Sequence, residues 1–162
     1  MTTAVPTAAE RAAHPIPLSI RILRKAQPLI VGLLRSPLHR LLSRDVLLLT
    51  YRGRRSGQPY TLPLSYVESG ARLYLCTRPE GSKWWLNLRG GVDVDLVLQG
   101  KPRRATATVL DPQSPEAVDG LRAFVARYPG TGEMLYHVRR GPNEDDVRRE
   151  VAGSIVVRLD FD

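Results

Sequence analysis

Three arginines, a serine and two glycines stand within six residues, Arg52-Gly53-Arg54-Arg55-Ser56-Gly57. Guanidinium forks, a hydroxyl and clustered peptide N–H groups are the donors that a phosphate or carboxylate requires. The glycines let the backbone turn tightly and come close to a ligand. The same residues also read as a basic hairpin turn facing water, and composition alone favours that plainer reading. A second set lies at 82–87, where Ser82 and Lys83 precede Trp84, Trp85 and Asn87. Ser82 suits an N-cap and Gly90 a stop, so the spacing predicts a short helix of about two turns. A helix N-terminus offers unpaired N–H groups to an anion, and Lys83 would add a charge there. The two tryptophans are the only ones in the chain. On a helix they stand about 100° apart, so one could enter the core while the other lines a cleft. Ordinary packing of both is the plainer alternative.

Other chemistry has less support. His14, His39 and His137 are far apart and lack paired ligand spacing, so no metal site is expected. Cys76 lies in an apolar run, where a small buried thiol is common. Asp93 and Asp95 share one strand face and read as solvated. The turn at 53–57 lacks the Gly-Lys-Ser/Thr ending of a P-loop.

The elements that must position these groups are mostly strands. Residues 46–51 form a leucine-rich run. Residues 60–67 alternate, with Leu62, Leu64 and Tyr66 on one face and Thr61, Pro63, Ser65 and Val67 on the other. Residues 72–77 are a third strand. Residues 92–99 and 103–110 form a hairpin, expected to turn at Gly100-Lys101-Pro102. Ser114-Pro115 opens a helix that ends at Tyr128-Pro129-Gly130. Residues 131–139 suggest a further short helix. Another starts at Asn143, with acids first and arginines later, as the helix dipole favours. Residues 154–159 are a last strand. Sequential hairpins imply an antiparallel sheet. The class is mainly β with flanking helices, a small barrel of about six antiparallel strands.

The 162 residues carry a formal charge of +8. All of that excess lies in residues 1–60, which hold ten Lys/Arg against two Asp/Glu, while residues 61–162 balance at fourteen of each. An anionic partner at that end is expected: an acidic cofactor, a membrane surface or nucleic acid. Aromatic and basic residues are not interleaved as a nucleic-acid stacking platform needs, which sets that partner aside. Residues 1–17 read as a flexible arm. Residues 18–44 read as a basic amphipathic helical segment, with Leu18, Ile22, Ala26, Leu29, Ile30 and Leu33 opposite Arg21, Arg24, Lys25 and Arg35. It either packs on the domain or makes a peripheral contact with an anionic membrane. Residues 45–162 read as the barrel domain. One cysteine excludes an intrachain disulfide, no run approaches the ~20 apolar residues of a membrane span, and no secretory signal pattern opens the chain, so a cytoplasmic location is expected, with membrane association the alternative.

The run LLLTYRGRRSGQPYTLPLSYV, then WWLNL, then VDLVLQGKPRRATATVL, resembles the deazaflavin-dependent nitroreductase and quinone reductase family over about residues 46–110. Members have a split β-barrel, a flavin-binding fold. The resemblance implies a hydride transfer from the reduced deazaflavin coenzyme F-420 to an electron-poor small molecule such as a quinone, nitroaromatic or conjugated enone. It places the cofactor's phosphate and tail on Arg54, Arg55, Ser56 and Gly57 and on Lys83, Trp84 and Asn87. It places the ring beside Pro63 and Leu64, with Thr77 and Arg78 at the exit of the third strand. On the substrate side it implies Tyr128 and Tyr136. Two departures stand out: the stretch from Arg78 to Trp84 is short, and Arg55 replaces the turn's usual lysine. FMN as cofactor, or a non-catalytic flavin- or haem-binding role, is the alternative that these departures leave. A homodimer is a further implication.

Overall fold

The computed structural model describes residues 43–136, 138 and 143–161, together with 29, 31, 32 and 36. The arm at 1–17, nearly all of the basic segment at 18–44 and all three histidines lie outside the described residues. Among the described residues, seven strands form one antiparallel sheet: β1 (Val46–Arg52), β2 (Pro59–Ser65), β3 (Val67–Ser69), β4 (Arg72–Thr77), β5 (Val92–Leu98), β6 (Lys101–Val109) and β7 (Ile155–Phe161). Their spatial order is β2-β1-β5-β6-β7-β4-β3.

Alternation along the strands builds the interior. Leu47, Leu49 and Tyr51 of β1 point inward with Val94 and Leu96 of β5, Ala105 and Ala107 of β6, and Leu73 and Leu75 of β4. Small alanines on β6 let the sheet curl around the two tryptophans, which fill the same core. Three helices cover the outer face of β3, β4 and β7: α1 (Pro115–Arg127), α2 (Pro129–Tyr136) and α3 (Glu144–Val151). The caps of α1 and α3 are the residues expected. Ser114 Oγ accepts from the Ala117 N–H at 3.2 Å with Pro115 at the first helical position, and Asn143 Oδ1 accepts from the Asp146 N–H at 2.8 Å.

Seven strands appear where six were expected, because the run 60–67 bends at Tyr66. β2 is one edge of the sheet and β3 the other, and only Tyr66 separates them in the chain. The corner is held by polar contacts that periodicity cannot reveal. The Tyr66 N–H donates to Asp45 O at 3.2 Å, and its buried hydroxyl donates to Ser43 O at 3.1 Å. Gln99 Nε2 donates to that hydroxyl at 3.3 Å, and the Tyr128 hydroxyl donates to Tyr66 O at 2.7 Å. The β5–β6 turn also differs from expectation. It is the two-residue Gln99-Gly100 with φ of 49° and 77°, and Lys101-Pro102 already belong to β6. Two positive φ values match the right-handed twist of the flanking strands, so the tighter turn wins.

Candidate active site

The β1–β2 turn is shaped by its own glycines. The Gly53 N–H donates to Gln58 O at 2.9 Å, and the Gly57 N–H donates to Gly53 O at 2.8 Å. Gly57 has φ of 65°, which favours glycine. Gly53 is required by close approach, since a Cβ there would lie 2.6 Å from Ser56 Oγ and 2.8 Å from Tyr60 Cε2. The Tyr60 ring stacks on Tyr51 at 5.8 Å between centroids, and its hydroxyl is 3.3 Å from Ser56 Oγ. Arg52 ties the turn by donating to Gly57 O at 3.1 Å. Arg54 and Arg55 stay exposed, and none of the ion pairs among the described residues uses them.

The second element is a 3-10 helix, Trp84–Leu88, rather than two turns of α-helix. Ser82 is not its cap. The residue before it is Lys83, with no side-chain cap bond, and Ser82 instead supplies a carbonyl to Trp85 Nε1 at 3.0 Å. This helix plugs one end of the barrel, so both of its indole faces meet apolar side chains. Trp84 and Trp85 are 6% and 8% exposed. Arg89 lies over the Trp85 ring at 4.9 Å, and Lys83 points to solvent.

Asn87 joins the two elements. Its Oδ1 accepts from the Arg54 N–H at 3.0 Å, and its Nδ2 donates to Trp84 O at 3.0 Å. Arg54, Arg55, Ser56, Gly57, Lys83, Trp84 and Asn87 are thereby collected at one end of the barrel. Pro63 and Leu64 lie on the edge strand β2, opposite Leu48 and Leu47. Leu64 packs against the interior. Thr77 ends β4 opposite Ile155.

Arg78 has a different environment. Its side chain is 12% exposed and donates to Glu150 Oε2 at 3.3 Å and to Ser154 Oγ at 3.4 Å. The guanidinium also lies 5.9 Å from the Tyr136 ring centroid. Tyr136 itself is 1% exposed, packed against Phe124 under the helices. Burial pushes its phenol well above the ordinary range. Tyr128 lies at the opposite end of the barrel from the 53–57 turn, beside Tyr66 and Asp45. Burial, reinforced by the Asp45 carboxylate, pushes its phenol up to about 12. Both phenols therefore stay protonated at neutral pH, and both tyrosines belong to the layer between helices and sheet, Tyr136 at the exit of β4 and Tyr128 at the far end.

Glu150 escaped the sequence reading. Its signal was a charge on an apolar stripe: Val147, Glu150 and Val151 share one face of α3 and all three are buried. Tyr60 escaped as well, being half-exposed with its ring pinned on the turn.

A family model described as F-420H(2)-dependent quinone reductase matches residues 33–133. Among solved structures, an F-420-H(2)-dependent reductase is similar at 20% identity and a TM-score of 0.54, over 72% of this chain and 95% of that one. A structure described as a domain-swapped dimer is similar at 19% identity and 0.54, over 80% and 98%. The haem storage protein HutZ of Vibrio cholerae is similar at 13% identity and 0.50, over 78% and 89%. These likenesses establish a split-barrel fold. No curated protein matches the chain significantly.

Proposed function

The chain belongs to the F-420H(2)-dependent quinone reductase family, and on that premise we propose that the end of the barrel built from residues 53–57 and 83–87 holds the anionic part of its cofactor. Membership makes the protein an F-420-dependent reductase. When bound, the reduced deazaflavin supplies the hydride, and an electron-poor small molecule such as a quinone accepts it. The remaining work falls to the chain's own residues.

The donor set fits an anion. Two exposed guanidiniums, Arg54 and Arg55, without ion-pair partners among the described residues, share the turn with the Ser56 hydroxyl, which meets that of Tyr60. Phosphate and carboxylate oxygens are matched by such forks. Asn87 uses its amide oxygen and one amide N–H inside the protein, so it holds Arg54 and Trp84 in register. The Trp84 and Trp85 rings close the barrel end and keep water out of the interior. β2 is an edge strand, Pro63 contributes no N–H there, and in this reading a planar ring lies along that edge beside Pro63 and Leu64. Thr77 adds a hydroxyl at the exit of β4. The buried phenols of Tyr128 and Tyr136 serve the scaffold in this reading. Among the described residues no helix is long and apolar enough to cross a membrane.

The observation that carries the reading is the Asn87 bridge, which puts the two anion-attracting stretches in contact. The test is a fluorescence titration of the purified protein with F-420 and, separately, with FMN, followed by turnover with a soluble quinone. Saturable F-420 binding is expected, with Arg54→Glu and Arg55→Glu each weakening it by about tenfold or more, the size of a lost charge-assisted hydrogen bond. Unchanged affinity in both variants would remove the turn from the site.

A further inference from the structure

Residues 78–83 lead from β4 to the helix that carries Trp84 and Asn87. Their base is tied down at Arg78. The Gly81 N–H donates back to Arg78 O at 3.2 Å, closing a tight turn. Arg78 Nη1 meets Glu150 Oε2 at 3.3 Å, with side chains 12% and 9% exposed, while Arg78 Nε stands 4.0 Å from Glu80. Ser154 Oγ donates to Glu150 O at 2.7 Å and accepts from Arg78 Nη1 at 3.4 Å. Glu150 is the only acid on the buried stripe of α3, where Val147 and Val151 are its neighbours.

We infer that Glu150 is a positioning residue of the cofactor site: by fixing Arg78 it sets the base of the stretch that presents Lys83, Trp84 and Asn87 to the 53–57 turn. The inference rests on the cofactor site proposed above. A buried guanidinium whose partner is removed must seek water or another acid, and it takes the adjoining backbone with it. The pair joins the exit of β4 to α3, and the carboxylate already meets Arg78. Arg78 therefore acts through position and not as one more cation facing an anion. This assignment differs from the role the sequence resemblance gave Arg78.

A double-mutant cycle with Glu150→Met, Arg78→Met and the double variant tests it. Two readouts are available. Trp84 and Trp85 are the only tryptophans, so intrinsic emission reports this stretch in the cofactor-free protein. The second is the split between KM for F-420 and kcat. Each single variant is expected to red-shift the emission and to raise KM by about tenfold with kcat nearly unchanged, while the double variant, left with no unpaired charge, returns toward wild type in both. If Glu150→Met fails to fold, Glu150→Gln with its matching double takes its place and is judged by the same two readouts. Unchanged emission and KM in the Glu150 variants would overturn the inference. So would a double variant as impaired as Arg78→Met alone, because that is the signature of a cation touching the cofactor. Failure of the site reading looks different: wild-type protein would not bind F-420, whereas the emission shift would still report the Glu150–Arg78 pair.

Discussion

Asn87 shows how little slack the site has at the level of single atoms. One amide accepts from the Arg54 N–H and donates to Trp84 O, both at 3.0 Å. Each half-exposed hydrogen bond of this kind is worth about 1 kcal/mol net. Asn87→Ala loses both bonds. Asn87→Asp keeps the acceptor, loses the donor, and sets a negative charge beside the turn. Asn87→Asp is therefore expected to bind F-420 more weakly than Asn87→Ala at low salt, with the gap shrinking as salt screens the charge. Titrations at two ionic strengths would check this, and equal affinities at low salt would leave only a packing role for the amide. At this scale the sequence spoke clearly about type: three arginines and a serine between glycines are anion donors wherever they sit. It did not reveal the partner of Arg78, a residue whose chemistry suits a phosphate but whose guanidinium meets an acid 72 residues later in the chain.

Helix α1 illustrates what an element must satisfy at once. Glu116 and Gly120 are one turn apart and face the sheet together. Glu116 receives Arg72 at 2.9 Å, Arg158 at 2.8 Å and the Tyr74 hydroxyl at 3.0 Å. Gly120 then lets the helix come down on the same tyrosine, since a Cβ there would lie 2.7 Å from Tyr74 Cδ1 and 3.1 Å from Val156 Cγ1. Helix propensity alone says that Gly120→Ala stabilises by about 1 kcal/mol. The packing says otherwise, and overpacking of about 1–3 kcal/mol should dominate. A lower melting temperature for Gly120→Ala is the expected result, and a higher one would mean that the tyrosine can move aside. Strands and capped helices were legible because alternation and cap residues are local signals. The 3-10 helix was not, because Ser82 reads as a cap in sequence while its hydroxyl plays no such part in the fold. Nor was the turn at Gln99-Gly100, where a glutamine takes a left-handed conformation that asparagine more often fills.

On the scale of the whole molecule, the corner at Tyr66 decides the shape. Tyr128 fastens it from the helical layer, donating to Tyr66 O at 2.7 Å, with Asp45 O at 3.1 Å. Its phenol titrates at about 12 in the fold against about 10 in an unfolded chain. The folded state holds that proton more tightly. The stability this gives is complete below pH ~10 and is lost as pH rises toward ~12. Because Tyr128 is partly exposed, the effect is discounted to about 1–2 kcal/mol. Tyr128→Phe should lower stability at neutral pH and make the fall between pH ~10 and ~12 shallower, as denaturant melts across that range would measure; an unchanged slope would place the titration elsewhere. Barrel class and the β1–β2, β3–β4 and β5–β6 hairpins could be read from sequence, but the β1–β5, β6–β7 and β4–β7 pairings and the closure could not, since hairpins signal only local partners and Tyr66 looks like one more alternating residue.

The sheet order has a further consequence, for the order in which the molecule is made. β7 lies between β6 and β4, and without it the sheet is two fragments, β2-β1-β5-β6 and β4-β3. Yet β7 is the last of the seven strands to leave the ribosome. The hairpins can pair as they emerge, but the wall that joins them waits for residues 155–161, at separations of about 50 residues from β6 and more than 75 from β4. Until then the apolar faces of both fragments stand uncovered, and the stretch from Arg78 to Asn87 has no Glu150 to fasten it. The site is thus assembled late, in the same step that closes the barrel.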